Sequence, residues 1–141
     1  MVDQLDLAIT LAVEAHAGQK DKQGKPYILH PLHLMSQFDD PMLASIAVLH
    51  DVLEDTKFTV EHLLKAGVSS RILVALVHLT HKKGVKYSDY IDGLSHDSLA
   101  VAVKLKDMEH NARLDRVFGE EKDSMRRMSK YHAAYWKLKN L

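Results

Sequence analysis

The sequence predicts an all-α protein, one compact helical bundle of about seven to eight helices over residues 1–141. Three observations predict it. Apolar residues recur at three- and four-residue spacing in segment after segment. No run alternates apolar and polar residues for long enough to make a strand. The interruptions also fall where helix ends want them, at Pro31, Pro41, Gly67 and a series of Ser, Thr and Asp positions.

The first helix covers 3–17, with Leu5, Ala8, Ile9, Ala12 and His16 at helical spacing behind an Asp3 cap. The stretch AGQKDKQGKPYIL that follows is too rich in Gly, Lys and Gln to be core. Pro31 suits the first turn of a short helix running through Met35. Pro41 opens the next, and 42–54 reads as one strongly apolar helix carrying Leu43, Ile46, Ala47, Leu49, Val52 and Leu53. Thr59 starts a helix that ends near Gly67, and Ser69 or Ser70 caps another that continues to about His81. HKKGVK is a loop, 86–95 a short helix, and 97–115 a long one beginning at Asp97. The segment 120–139 is an amphipathic packing helix with Met125, Met128, Tyr131, Ala134, Tyr135 and Leu138 on its buried side. There is no repeat and no linker, so a single domain is expected.

Composition narrows the function. Apolar residues at 46% and charged residues at 27% make an ordinary globular balance, which argues against disorder. Lys plus Arg equals Asp plus Glu at 19 each, so no global field favours nucleic acid or a membrane surface, and neither is expected as a partner. Any anion must be held by local clusters. The chain has no cysteine, which rules out a disulfide or a thiolate site and fits a reducing compartment. MVDQLDLAIT lacks a basic start followed by an apolar run, and no stretch is apolar enough to span a bilayer; a cytoplasmic protein is the expectation.

The segment Val48-Leu49-His50-Asp51-Val52-Leu53-Glu54-Asp55-Thr56 carries most of the chemistry. On a helix, His50, Asp51, Glu54 and Asp55 fall within an arc of roughly 140°. Three carboxylates and an imidazole on one face repel each other and resist burial unless a cation neutralises them. Glu54 and Asp55 alone would read as a helix end facing water, but an apolar helix leading directly into His-Asp favours the metal. His96-Asp97 is an internal control: flanked by Ser95 and Ser98, it reads as a turn and helix cap. What lifts the pair at 50–51 is its company. His30 stands just before Pro31, a pre-organised position for a ligand, and Asp107 is a lone acid inside a core-seeking helix. Asp107, His110, Asn111 and Leu114 share a face distinct from the stripe of Val101, Leu105, Met108 and Ala112. Two histidines and two aspartates make a mixed nitrogen and oxygen site suited to Mn2+, Fe2+ or Zn2+ with positions open to water and substrate. His16, His62, His78 and His110 read as packing residues, as do the aromatic residues of the last helix, with Tyr131 a neighbour of the site.

The ordered pieces Ala15-His16-Ala17-Gly18-Gln19, Gly24 to Pro31, Leu49 to Thr56, and Lys104-Leu105-Lys106-Asp107 with Asn111 and Arg113 resemble the HD phosphohydrolase superfamily. Within it the chain is similar to the hydrolase domain of RelA/SpoT proteins and to the stand-alone small alarmone hydrolases, over residues from about 5 to about 117. The resemblance implies that His30, His50, Asp51 and Asp107 ligate Mn2+. It implies that Glu54 and Asp55 activate or orient the attacking water. Asn111 matches a substrate-contacting asparagine, and Lys22 a basic position on the phosphate-facing loop. Lys20, Lys22 and Lys25, with Lys82, Lys83 and Lys86, could supply positive potential, although the second cluster reads better as solvated loop. The implied reaction removes the 3′-pyrophosphate of ppGpp and pppGpp.

One departure bears on the substrate. Lys20-Asp21-Lys22-Gln23-Gly24 stands where the family has x-Arg-Lys-Ser-Gly, so Asp21 occupies the place of an arginine that stacks on guanine. An acid cannot provide that planar cationic contact, and Lys20 beside it is no equivalent. Met108 and Glu109 also replace the usual Arg-Leu. A small phosphorylated nucleotide is therefore the expected partner, ppGpp first and another nucleotide or dinucleotide such as NADPH as the alternative. A catalytically silent nucleotide sensor ranks below both, because the full set of site residues is present.

Overall fold

The computed structural model describes residues 3–112 and 122–141, with the side chains of 122–125 excepted. Arg113, Leu114, the expected end of the long helix at 115 and the expected start of the last at 120 lie outside the described residues, as does the Met125 side chain. The described chain is helical throughout: α1 (Gln4–Ala15), α2 (Leu29–Ser36), α3 (Pro41–Leu49), the single turn α4 (Val52–Asp55), α5 (Val60–Ala66), α6 (Ser70–Leu79), α7 (Tyr87–Leu94), α8 (Ser98–Asn111) and α9 (Lys122–Lys139). An isolated bridge between Lys20 and Pro26 is the one extended pairing among the described residues.

Helix ends follow the capping residues. Asp3, Asp40, Thr59, Ser69 and Asp97 each accept a hydrogen bond from a backbone N–H of the first turn behind them. Gly67 ends α5 in the left-handed region at φ 106°, where a side chain would be strained.

Two boundaries differ from the sequence reading, and both shape the site. Helix α2 begins at Leu29, two residues before the expected start, so His30 lies inside the first turn. Pro31 is tolerated there because the N–H it lacks would have had no intrahelical partner. The expected single helix over 42–54 is broken after Leu49. His50 reaches back by an i→i−3 bond to Ala47, Asp51 sits at φ −102° and ψ 0°, and α4 restarts at Val52. The break has a local cause: the His50 ring also hydrogen-bonds the Ala47 carbonyl at 2.7 Å, competing with the helical ladder.

Helix α3 is the axis of the fold. Ala44 to Leu49 are all buried, as a helix apolar on every side must be, and α3 packs against α1, α2, α6 and α8. Leu34, Ile46, Leu49, Leu63, Ile72, Leu76, Ile91, Leu94 and Leu138 fill the core around it. Ala134 and Leu138 bring the predicted face of α9 onto this core. On α8 the two expected faces are both inside: Asp107 and His110 are as buried as Val101 and Met108, whereas Ala112 is exposed. No helix among the described residues is long and apolar enough to cross a membrane.

Asp97 ties the far end of α8 to α6. Its carboxylate caps α8 at the Leu99 and Ala100 N–H groups, accepts two Arg71 N–H bonds at 2.7 and 3.2 Å, and lies 2.8 Å from His78 Nδ1. His78 thus has an ionic partner instead of a packing role alone. The Arg71 hydrogen bonds hold the Asp97 carboxyl well below the usual carboxylate range, against the cost of burial. Asp97→Ala should lower stability by about 2–3 kcal/mol at pH 7, the sum of a lost cap and lost charge-assisted bonds. Because the folded-state pKa is depressed, the contribution is complete above the ordinary aspartate value and fades as pH falls below it. Urea unfolding of both proteins at neutral pH and near pH 3 checks this, and equal losses at the two pH values would refute it.

Candidate metal centre

The break between α3 and α4 aims His50 and Asp51 at α2 and α8. His50 Nδ1 donates to the Ala47 carbonyl, which can only accept, so the neutral ring presents a bare lone pair at Nε2. That nitrogen is buried with no hydrogen-bond partner. It nevertheless lies 2.9 Å from Asp51 Oδ2 and 3.4 Å from Asp107 Oδ1, close to both but in hydrogen-bond line with neither. His30 comes in from α2 with Nε2 2.9 Å from Asp107 Oδ1 and 4.0 Å from Asp51 Oδ2. Ligand atoms of His30, His50 and Asp107 all lie within 4.8 Å of one another, near the ~4 Å spread of atoms sharing one ion at ~2.0–2.2 Å. Asp51 stands at the edge of this trio through the two distances above.

Lone pairs facing carboxylate oxygens in a buried pocket require a positive charge between them. The titration of these groups reports the same demand. Burial opposes a charge on His50, yet Asp51 and Asp107 raise it well above the usual histidine range. Burial also opposes ionisation of Asp107, but Lys104 and His50 hold it well below the usual carboxylate range. For His30 burial wins, and its protonation is disfavoured. One proton on His50 supplies a single positive charge; a divalent cation supplies two and suits imidazole and carboxylate donors alike. The donor set fits a metal.

Around these four residues stand groups that orient them. Asp51 accepts a short hydrogen bond from the Tyr27 hydroxyl, which burial and the Asp51 charge keep protonated. Asn111 donates to Asp107 Oδ1 at 3.0 Å, and Lys104 Nζ lies 3.2 Å from Asp107 Oδ2. His30 Nδ1 is 2.7 Å from His110 Nδ1, and the His33 ring stacks on His110 at 3.9 Å. His110, read from sequence as packing, therefore backs the site directly. Tyr27 and Lys104 were not singled out as site residues. Each stands three residues before a candidate ligand, Tyr27 in the turn ahead of His30 and Lys104 on the same helix as Asp107.

Two polar cavities open on the cluster. One, of about 160 Å³, is lined by Tyr27, Asp51, Glu54, Lys104, Asp107, Met108, Asn111 and Tyr131. The other, of about 80 Å³, shares Asp51, Glu54, Lys104, Asp107 and Tyr131 and adds His50, Leu79, His81, Tyr87 and Tyr90. Glu54 thus joins the site, with Oε1 accepting the His81 N–H at 2.7 Å. Asp55 lines neither cavity but lies close enough to be felt: its own burial, then Asp51 and Glu54, push its carboxyl up to about 6. Tyr131 and Asn111 both line the larger cavity. Lys20 and Lys22 line neither cavity, and neither do Lys82, Lys83 and Lys86. Asp21 has a structural task, since its Oδ1 accepts the Gln23 and Lys25 N–H groups at 2.8 and 2.9 Å and closes the turn through Gly24.

Helices converging on a His, His-Asp and Asp cluster, in that chain order, define an HD-type domain. Comparison with known proteins agrees. No family model matches the chain. It is 34% identical over 119 residues to the guanosine-3′,5′-bis(diphosphate) 3′-pyrophosphohydrolase of Borreliella burgdorferi, covering 74% of this chain and 18% of that protein. The protein of the same name from Aquifex aeolicus is 31% identical over 132 residues, covering 85% of the chain and 19% of the relative. The GTP pyrophosphokinase of Streptomyces coelicolor is 29% identical over 132 residues, covering 84% and 16%. The chain spans less than a fifth of the length of these relatives. A solved structure of a metazoan ortholog of SpoT superposes with a TM-score of 0.78 at 21% identity, covering 98% of this chain and 86% of that one, which establishes the shared fold. The chain belongs to the RelA/SpoT-type branch of the HD superfamily.

Asp107→Ala should leave the protein without bound divalent metal and lower its stability, because Asp51 and the two histidines lose the group that organises them. Elemental analysis of the purified variant checks it, and occupancy equal to the parent would refute it. Without metal, Asp55 should favour folding most below the ordinary aspartate value, and that contribution should vanish as pH rises through about 6. Asp55→Asn, unfolded across this range, should flatten the dependence.

Proposed function

We propose that this domain is a divalent-metal-dependent phosphohydrolase that removes the 3′-pyrophosphate of ppGpp and pppGpp, with Mn2+ as its ion. The observation that carries the reading is the buried His50 Nε2, a lone pair without a partner, facing Asp51 and Asp107 beside His30. Two relatives bearing the name of that activity support the substrate.

The ion, when bound, supplies Lewis-acid polarisation and charge neutralisation at phosphoryl oxygens. His30, His50, Asp51 and Asp107 would hold it. Tyr27, Asn111 and Lys104 fix the two carboxylates so that their charge does not swing away as substrate binds. Glu54 is the proton acceptor in this reading. One of its oxygens is anchored by the His81 N–H, which leaves the other to take or orient the proton of an attacking water. Asp55 acts at longer range, where its own burial and the charges of Asp51 and Glu54 favour a proton on its carboxyl. Asn111, through its place on the cavity wall, would meet the nucleotide as well as Asp107. A nucleotide substrate and a chain without cysteine suit the cytoplasm.

A second reading, hydrolysis of another phosphorylated nucleotide or dinucleotide such as NADPH, is favoured by Asp21. Its carboxylate is folded into its own turn at the position where the family's arginine would stack on guanine. Lys20 and Lys22 on the same loop would then serve as general attraction for phosphate.

The test is a substrate panel with manganese-loaded protein, following released phosphate and pyrophosphate. The leading reading expects pyrophosphate from ppGpp. Good turnover of another nucleotide with none of ppGpp would select the second. Glu54→Gln should lower kcat about 10²–10⁴-fold on the preferred substrate, the ordinary worth of a positioned acid–base group. An unchanged rate would remove Glu54 from the chemistry.

A further inference from the structure

The smaller cavity contains two donors with an unmet need. Lys104 is nearly buried, its side chain 16% exposed, yet among the described residues its one close acidic partner is Asp107 at 3.2 Å. An ammonium group has three donor hydrogens, and the Tyr90 ring 5.5 Å away adds only a cation–π contact. Tyr87 lines the same cavity, and its hydroxyl is buried with no hydrogen-bond partner among the described residues. Native structures rarely leave such a group unpaired, so an unpaired donor beside a buried cation points to an acceptor that arrives from outside. Burial raises the Tyr87 hydroxyl to about 12, which keeps it a donor at neutral pH.

The surroundings say what kind of acceptor. Asp51, Glu54 and Asp107 line both cavities, and a polyanion approaching them is repelled unless cations intervene. Lys104 is the lysine or arginine among the described lining residues of both cavities, and it stands where they meet. At about 80 Å³ the cavity is far below the several hundred Å³ of a nucleoside-sized pocket but has room for a tetrahedral anion.

We propose that Lys104 and Tyr87 form an anion subsite, on the His81 side of the three carboxylates, that holds a phosphate group of the substrate. The proposal rests on the phosphohydrolase reading and assigns one end of the substrate within it. Lys104 has two tasks: it steadies Asp107 through Oδ2, and its remaining donors meet phosphate oxygens. Tyr87 adds a neutral donor with no partner to give up. A phosphate so held lies next to Glu54 and Asp107, and the nucleoside extends toward the larger cavity and Asn111.

The test measures binding of inorganic pyrophosphate to the manganese-loaded protein by calorimetry, with metal affinity titrated separately and KM and kcat followed on the preferred nucleotide. Tyr87→Phe removes one oxygen and little else. It should weaken pyrophosphate about 5–10-fold and raise KM similarly, with metal affinity unchanged. Lys104→Gln should weaken pyrophosphate roughly 100-fold, and Lys104→Arg should recover part of the loss. Pyrophosphate affinity in Tyr87→Phe equal to the parent's would overturn the subsite and leave the hydroxyl to water. So would a loss in Lys104→Gln that merely tracks lost metal, which would confine Lys104 to holding Asp107. A parent protein that binds pyrophosphate through both groups but turns over no nucleotide would sink the hydrolase reading and leave the subsite standing. Turnover with pyrophosphate affinities unmoved by the substitutions would do the reverse.

Discussion

The site answers one electrostatic constraint: Asp107, His30 and His50 are buried together, with the partly exposed Asp51 beside them, where α2, the α3–α4 break and α8 meet. Asp107 is 6% exposed, and His30 and His50 are 4% and 3% exposed, so water cannot screen them. Left to themselves such groups would swing outward or take up protons. They stay because each is pinned by a neighbour that leaves its inward-facing atom free. Ala47 takes the inner N–H of His50, Tyr27 holds Asp51, and Asn111 and Lys104 hold the two oxygens of Asp107. The outcome is a pocket whose inward-facing atoms suit a positive charge.

His30 shows how far this support extends. Its Nε2 faces Asp107, and its Nδ1 shares a hydrogen bond with His110 Nδ1 at 2.7 Å. Metal-ligating histidines more often pair that second nitrogen with a carboxylate or a carbonyl. A histidine in that place adds no negative charge to a site that already has too much. The His30 and His110 rings lie 4° from parallel, and His33 stacks on the far side of His110. The row of rings restrains rotation of His30 through packing instead of through another ion.

The fold and the gathering of His30, His50, Asp51 and Asp107 at one place were legible in the sequence, and the geometry that surrounds them was not. Caps at Asp3, Thr59, Ser69 and Asp97 follow from local chemistry, because a side chain and an N–H two or three residues away decide them. His50-Asp51 was readable because an apolar helix runs straight into it. Its break was not readable, because periodicity continues through Val52 and Leu53 while a side-chain bond to Ala47 interrupts the ladder. Lys104 was invisible for a related reason. A lysine on a helix is ordinarily a solvated residue, and only the approach of Tyr90, Tyr87 and Asp107 from two helices makes it a buried cation. Lys20 and Lys22, expected on the phosphate-facing loop, line neither described cavity, both of which open on the side of α4, α7, α8 and α9.

The same division separates the buried cluster from the loop before it. The cluster draws on α2, α3, α4 and α8, whose relative positions are set by the buried core around Ile46, Leu49 and Leu34. A substitution there disturbs packing and charge together. Asp21 stands instead on the loop between α1 and α2, outside that core. Here Asp21 closes that loop on itself, with Gly24 in the left-handed region at φ 80°. An aspartate in such a turn satisfies two backbone N–H groups that an arginine would leave to water, so Asp21 strengthens the loop. A domain can therefore keep its buried cluster and change the chemistry of one surface turn independently of it. The larger cavity is walled by Met108, Asn111 and Tyr131, on helices and not on that turn.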